Sequence, residues 1–135
     1  MKINGLKKIK IKIIKNNKGD ILKFISSKNQ YYKKFGEVYF SEIKKDQTKG
    51  WNLHTKYKCF LSVLSGSVTF NFEDNRLKSK TYKSKMKITL QKKNYGILIV
   101  PSNIWFTFKG NKNNSIIVNA LNYPHNKLET RKKDL

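Results

Sequence analysis

The chain is 135 residues long, 38% hydrophobic, with 14 Ile, 8 Phe and 7 Tyr, enough to fill one domain's core and to exclude intrinsic disorder. No apolar run approaches the roughly 18 residues of a spanning helix, so no membrane partner is expected. The formal net charge is +22, but 28 of the 30 basic residues are Lys and only Arg76 and Arg131 supply the bidentate fork that nucleic-acid readers favour, so the charge predicts attraction of anionic small molecules and no specific nucleic-acid partner.

Residues 9–13 alternate Ile with Lys, the pattern of an edge strand whose lysines face water. Lys7, Lys8, Lys10, Lys12 and Lys15 interrupt the isoleucines too often for a signal-peptide core, and the chain reads as cytoplasmic. A turn cluster at 16–20 leads to a short strand at 21–25. Strands follow at 37–43 (EVYFSEI), 48–54 and 57–64. Cys59, the single cysteine, can form neither an internal disulfide nor a thiolate metal cage, and reads as a small core residue. After Ser65-Gly66 come strands at 67–72, 86–90, 95–100, 104–108 and 115–121, about nine or ten in all. The one helical candidate is the stretch 126–133, in a polar tail at 124–135. This pattern predicts a single all-β domain over 1–135, a sandwich, jelly roll or barrel. The apolar edge at 9–14, within an N-terminal segment 1–18, is expected to pair across a two-fold axis and make a homodimer.

Three blocks of residues carry the chemistry. Phe35-Gly36-Glu37-Val38-Tyr39-Phe40-Ser41 comes first, with Glu37, Tyr39 and Ser41 on one strand face. Lys49-Gly50-Trp51-Asn52-Leu53-His54 follows, with Cys59 and Gly66 beyond it; Asn52 and His54 share a face. The third runs from Gly96 to Pro101-Ser102-Asn103-Ile104-Trp105-Phe106, where Asn103 suits a turn at positive φ.

The second and third blocks resemble the two cupin motifs. All three together are similar to the cupin sugar-nucleotide epimerases and ketoisomerases, the dTDP-4-dehydrorhamnose 3,5-epimerase group, over roughly residues 19–126. The resemblance implies a cupin-type jelly-roll barrel (a double-stranded β-helix), dimeric, holding a nucleotide-linked 4-keto-deoxysugar of dTDP type in its mouth without a cofactor. A metal-binding cupin needs four ligands; the corresponding positions here are Asn52, His54, Cys59 and Phe106, so no metal is expected. The implied reaction is proton abstraction α to a ketone, which needs a base working near neutral pH and a partnering acid. The resemblance assigns the base to position 52, where an asparagine cannot take a proton, and leaves His54 as the available imidazole. It assigns the acid, a tyrosine on the late strands, to Tyr123. It makes Lys49 a phosphate contact, turns Glu37, Tyr39 and Ser41 into the barrel, and lets Phe106 fill the pocket.

Two readings of function stand side by side. In one, the protein is a metal-free isomerase or epimerase with His54 as base. In the other, His54 is a satisfied barrel histidine, and the protein only binds a sugar or sugar nucleotide. Trp51 and Trp105 read as outward-facing structural residues, and His125 as an exposed loop residue.

Overall fold

Strands that alternate apolar and polar side chains bury one face each, and two such sheets close on each other around a shared core. The computed structural model describes residues 2–135. It contains ten strands: β1 (Lys7–Lys10), β2 (Glu37–Ile43), β3 (Thr48–His54), β4 (Cys59–Ser65), β5 (Ser67–Asp74), β6 (Lys85–Gln91), β7 (Gly96–Val100), β8 (Ile104–Gly110), β9 (Ser115–Leu121) and β10 (Thr130–Lys132). They form two five-stranded antiparallel sheets, ordered β1-β7-β4-β9-β2 and β10-β3-β8-β5-β6. The fold is therefore all-β, a jelly roll in one domain. Among the described residues the helical content is one 3-10 turn, Lys92–Asn94, and no helix is long and apolar enough to cross a membrane.

The inner faces meet in a core that includes Leu61, Val63, Leu98, Ile117 and Leu121 from the first sheet and Val68, Phe70, Phe72 and Phe106 from the second. A second cluster lies on the outer face of the first sheet. There Phe60, Ile97, Ile99 and Ala120 are covered by Ile9, Ile11, Phe24, Ile25, Tyr31 and Tyr32. The N-terminal segment is thus a cover for that sheet, which changes two expectations, and a third changes in the C-terminal tail. The first strand is Lys7–Lys10 and ends before Ile11, because it pairs with β7 only as far as Gly96. The strand expected at 21–25 reduces to a single bridge between Ile14 and Ile21; the apolar residues beyond it pack as irregular chain. The helix expected at 126–133 is turn followed by β10, which pairs with the edge of β3. Pairing with that edge gives the tail's backbone polar groups partners, whereas an isolated short polar helix would be only marginally stable in water.

One irregularity positions the site. In β3 the register against β8 runs Thr48 with Lys109, Lys49 with Phe108, then Asn52 with Phe106, so β3 carries one extra residue between Lys49 and Asn52. Without it, positions 49 and 52 would point to opposite faces; the bulge puts Lys49 on the same strand face as Asn52 and His54. Gly50 makes the bulge possible, with φ +116° and a position where an added Cβ would stand 2.7 Å from the Phe106 carbonyl oxygen. Gly50→Ala should accordingly destabilise the fold by about 2–4 kcal/mol through the positive φ and the overlap. A lowered urea midpoint checks this, and a midpoint equal to wild type would show that the bulge does not need glycine.

Candidate active site

Between the sheets lies a cavity of about 200 Å³. Tyr39 and Ser41 of β2, Asn52 and His54 of β3, and Leu61 of β4 line it, with Phe106 and Phe108 of β8 and Ile117 and Asn119 of β9. The C-terminal segment closes it with His125, Thr130 and Lys132.

His54 is 6% exposed, and its Nδ1 lies 2.6 Å from Oε1 of Glu129, itself 5% exposed. The other carboxylate oxygen accepts the amides of Lys56 and Tyr57, each at 2.9 Å. Glu129 is fixed by its main chain as well, because its carbonyl accepts from the Thr55 amide at 3.1 Å and the Thr55 hydroxyl at 2.7 Å. Phe106 and Tyr57 lie near-parallel to the imidazole at 6.2 and 6.1 Å between ring centroids. With Nδ1 donating to the carboxylate, Nε2 of the neutral ring keeps the free lone pair. Burial pushes the Glu129 carboxyl up, but the hydrogen bonds from His54 and from the Lys56 and Tyr57 amides outweigh it and hold the group below its ordinary range.

Across β2, β9 and β4, Tyr39, Asn119 and Leu61 are register partners, side by side on the inner face. Asn119 Nδ2 donates to the Tyr39 hydroxyl at 2.8 Å. Burial, aided by the nearby Cys59 and Glu37, outweighs that hydrogen bond and leaves the Tyr39 phenol pushed up to about 12, so the phenol holds its proton throughout the neutral range.

Beside the cavity runs a groove of about 500 Å³ lined by Lys49, Gly50, Trp51, Lys132 and Lys133 against a single acid, Asp134, sharing Asn52, Phe108 and Lys132 with the cavity. Lys49 Nζ donates to the Glu42 carbonyl at 2.7 Å and Lys133 Nζ sits over the Trp51 and Trp105 rings at 5.0 and 4.6 Å. The groove is cationic and open, suited to an anionic group attached to whatever fills the cavity. A larger recess of about 870 Å³, lined by Lys8, Lys10, Lys12, Lys15, Lys92 and Lys93 with Tyr95, lies elsewhere; its lining holds no imidazole, and Asp20 pairs with Lys15 and Lys92.

Tyr39, Ser41, Asn52, His54 and Phe106 therefore converge as expected from the sequence. Lys49 belongs to the adjoining groove. Glu37 is absent from the cavity lining; its carboxylate accepts the His125 amide at 3.0 Å. Tyr123 is corrected: it is 40% exposed, stacks on Tyr57 at 5.3 Å and lies under Lys34, outside the cavity lining. His125, expected to be a bystander, stands at the cavity rim. Glu129 was missed altogether; the only hint was an acid in a basic tail, in a chain with 8 acidic residues. Of the four metal-cupin positions, Cys59 is 1% exposed and burial pushes its thiol far above the ordinary range. No group of three His, Cys, Asp or Glu that could hold an ion occurs among the described residues.

Residues 4–128 match the family model described as FdtA: WxcM-like, C-terminal. The chain belongs to that family. Its structure is similar to that of a dTDP sugar isomerase from Desulfovibrio desulfuricans G20, with TM-score 0.94, 25% identity, and coverage of 98% of this chain and 85% of that one. Two further likenesses concern the fold. One is to a mutant of the 3,4-ketoisomerase QdtA from Thermoanaerobacterium thermosaccharolyticum in complex with TDP-4-keto-6-deoxyglucose (TM-score 0.81, 18% identity, 98% and 90% coverage). The other is to the epimerase RmlC from Legionella pneumophila in complex with dTDP-4-keto-L-rhamnose (TM-score 0.87, 20% identity, 98% and 74% coverage). No curated protein matches the chain. Family and fold together make this a cupin-type jelly roll of the FdtA, WxcM-like C-terminal family.

The His54–Glu129 couple sets a pH dependence. A carboxyl held below its ordinary value contributes stability that is complete above about pH 4.5 and is lost as pH falls through the lowered value. Glu129→Gln should therefore flatten the acid limb of a plot of urea midpoint against pH. Identical acid limbs for the variant and the wild type would mean that Glu129 is not held in this way.

Proposed function

We propose that the protein isomerises a dTDP-linked 4-keto-6-deoxysugar, with His54 Nε2 as base and Tyr39 as acid. The observation that carries this reading is the buried His54–Glu129 couple at the wall of a cavity. A carboxylate bonded to one ring nitrogen fixes the ring's orientation and leaves the other nitrogen to take a proton. His54 removes the proton from the carbon beside the ketone, and the electron pair moves onto the ketone oxygen. The Tyr39 hydroxyl gives that oxygen its proton, which yields an enediol. His54 then returns its proton to the former carbonyl carbon while the Tyr39 phenolate takes the proton of the adjacent hydroxyl, and the ketone has moved by one carbon. One buried imidazole suffices for that transfer on a single face. Inversion of a centre would instead need a second proton donor or acceptor on the opposite face, and an amide such as that of Asn52 cannot act as one. Tyr39 replaces Tyr123 as acid because it is the phenol that lines the cavity.

The groove bearing Lys49, Lys132 and Lys133 takes the diphosphate in this reading, with Ser41, Asn52 and Phe106 contacting the sugar. The homodimer, with the free edge of β1 at its interface, belongs to the same proposal. A second reading, binding without turnover, is favoured by Asn52 standing where the resemblance puts the base. Calorimetry with dTDP and NMR detection of deuterium entering a dTDP-4-keto-6-deoxysugar separate the two. Wild type should bind dTDP and exchange deuterium, and His54→Asn should lower the exchange by ~10²–10⁴-fold while dTDP still binds. Binding with no exchange would establish the second reading, and no binding at millimolar dTDP would overturn both.

A further inference from the structure

We infer that Asn119 is a positioning residue for the acid: its amide holds the Tyr39 hydroxyl so that the phenol's proton is presented to the substrate. The inference rests on the function proposed above.

Asn119 is 5% exposed, at the middle of β9, with Ile117 and Leu121 two residues away on the same face and Leu61 as its β4 register partner. A leucine would suit those apolar surroundings. Nδ2 donates to the Tyr39 hydroxyl oxygen, but Oδ1 is buried with no hydrogen-bond partner. A buried acceptor left unpaired costs free energy, whereas an apolar side chain of similar shape at the same place carries no such cost. The fold gains little from this amide, and the group it does serve is the cavity's phenol.

The contact constrains the phenol in two ways. A hydroxyl oxygen that accepts from Nδ2 cannot send its own proton along the same line, so the O–H must point to another partner. Donation into the oxygen also stabilises the phenolate that exists after proton transfer, opposing the burial that otherwise disfavours it. Asn119 would thus act on Tyr39 as Glu129 acts on His54, each through a side chain that need not touch the substrate.

The test uses Asn119→Leu, with Asn119→Ala as the smaller variant should leucine overfill the site. Urea midpoints, KM and kcat on a dTDP-4-keto-6-deoxysugar, and the titration of trifluorotyrosine in place of Tyr39 are measured together, the fluorines bringing the phenol into a range where the protein stays folded. Wild type and both variants are compared. The expected result is a midpoint for Asn119→Leu at or above wild type and a kcat lowered at least about tenfold in both variants. KM should stay within about twofold, and the titration should move up by about one pH unit. A fallen midpoint with unchanged kcat and titration would overturn the inference and make Asn119 structural. If wild-type protein turns over no dTDP-keto-sugar, the function proposed above fails. The midpoint and titration then still decide the Asn119–Tyr39 coupling, and an unmoved titration overturns it.

Discussion

The contact between His54 and Glu129 joins the two parts of the molecule that matter most. His54 ends β3 on the inner wall of the barrel, and Glu129 immediately precedes β10, which pairs Thr130 with His54, Arg131 with Leu53 and Lys132 with Asn52. The tail is therefore a working part of the barrel. It supplies the carboxylate behind the imidazole, lines the cavity with Thr130 and Lys132, and extends the cationic groove with Lys133. Burying an imidazole and a carboxylate together gives little net stability, because desolvation offsets most of their attraction. A couple buried to this extent, with the remaining carboxylate oxygen taking two backbone amides, is better accounted for by chemistry than by folding.

The same economy governs the charge. Most of the lysines stand on the surface and interact weakly with anything in water. Lys49, Lys132 and Lys133 differ because the β3 bulge and the β10 pairing bring them to one groove beside the cavity. Placement, not the total of +22, makes them a candidate diphosphate site. The larger lysine-lined recess has the charge but no histidine in its lining.

Much of the barrel is legible in the sequence because its strands have one buried face. The expected strands at 48–54 and 115–121 coincide with β3 and β9, and alternation is plainest in β5, where Val68, Phe70 and Phe72 enter the core between Thr69 and Asn71. The isoleucines between positions 9 and 25 also look like strands, yet Ile9, Ile11 and Ile25 cover the outside of the first sheet while Ile14 and Ile21 are exposed, a use of apolar residues that periodicity cannot separate from pairing. That Lys49 shares a strand face with Asn52 and His54 depends on one extra residue beside Gly50, and alternation alone would have put it on the other face. Of the two tyrosines singled out, the strand face of Tyr39 is readable from parity, while the displacement of Tyr123 onto Tyr57 depends on a loop. Glu129 was hidden because it meets His54 across 75 positions of chain, and no local pattern reports so distant a pairing.

The central claim is that Glu129 holds His54 with Nδ1 protonated and Nε2 free. Nitrogen-15 NMR of the imidazole at neutral pH reads this directly. The account predicts the Nδ1–H tautomer for His54 in the wild type, with its ring proton shifted downfield by the carboxylate, and a mixture of tautomers without that shift in Glu129→Gln. An Nε2–H tautomer in the wild type, or a spectrum unchanged by Glu129→Gln, would contradict it.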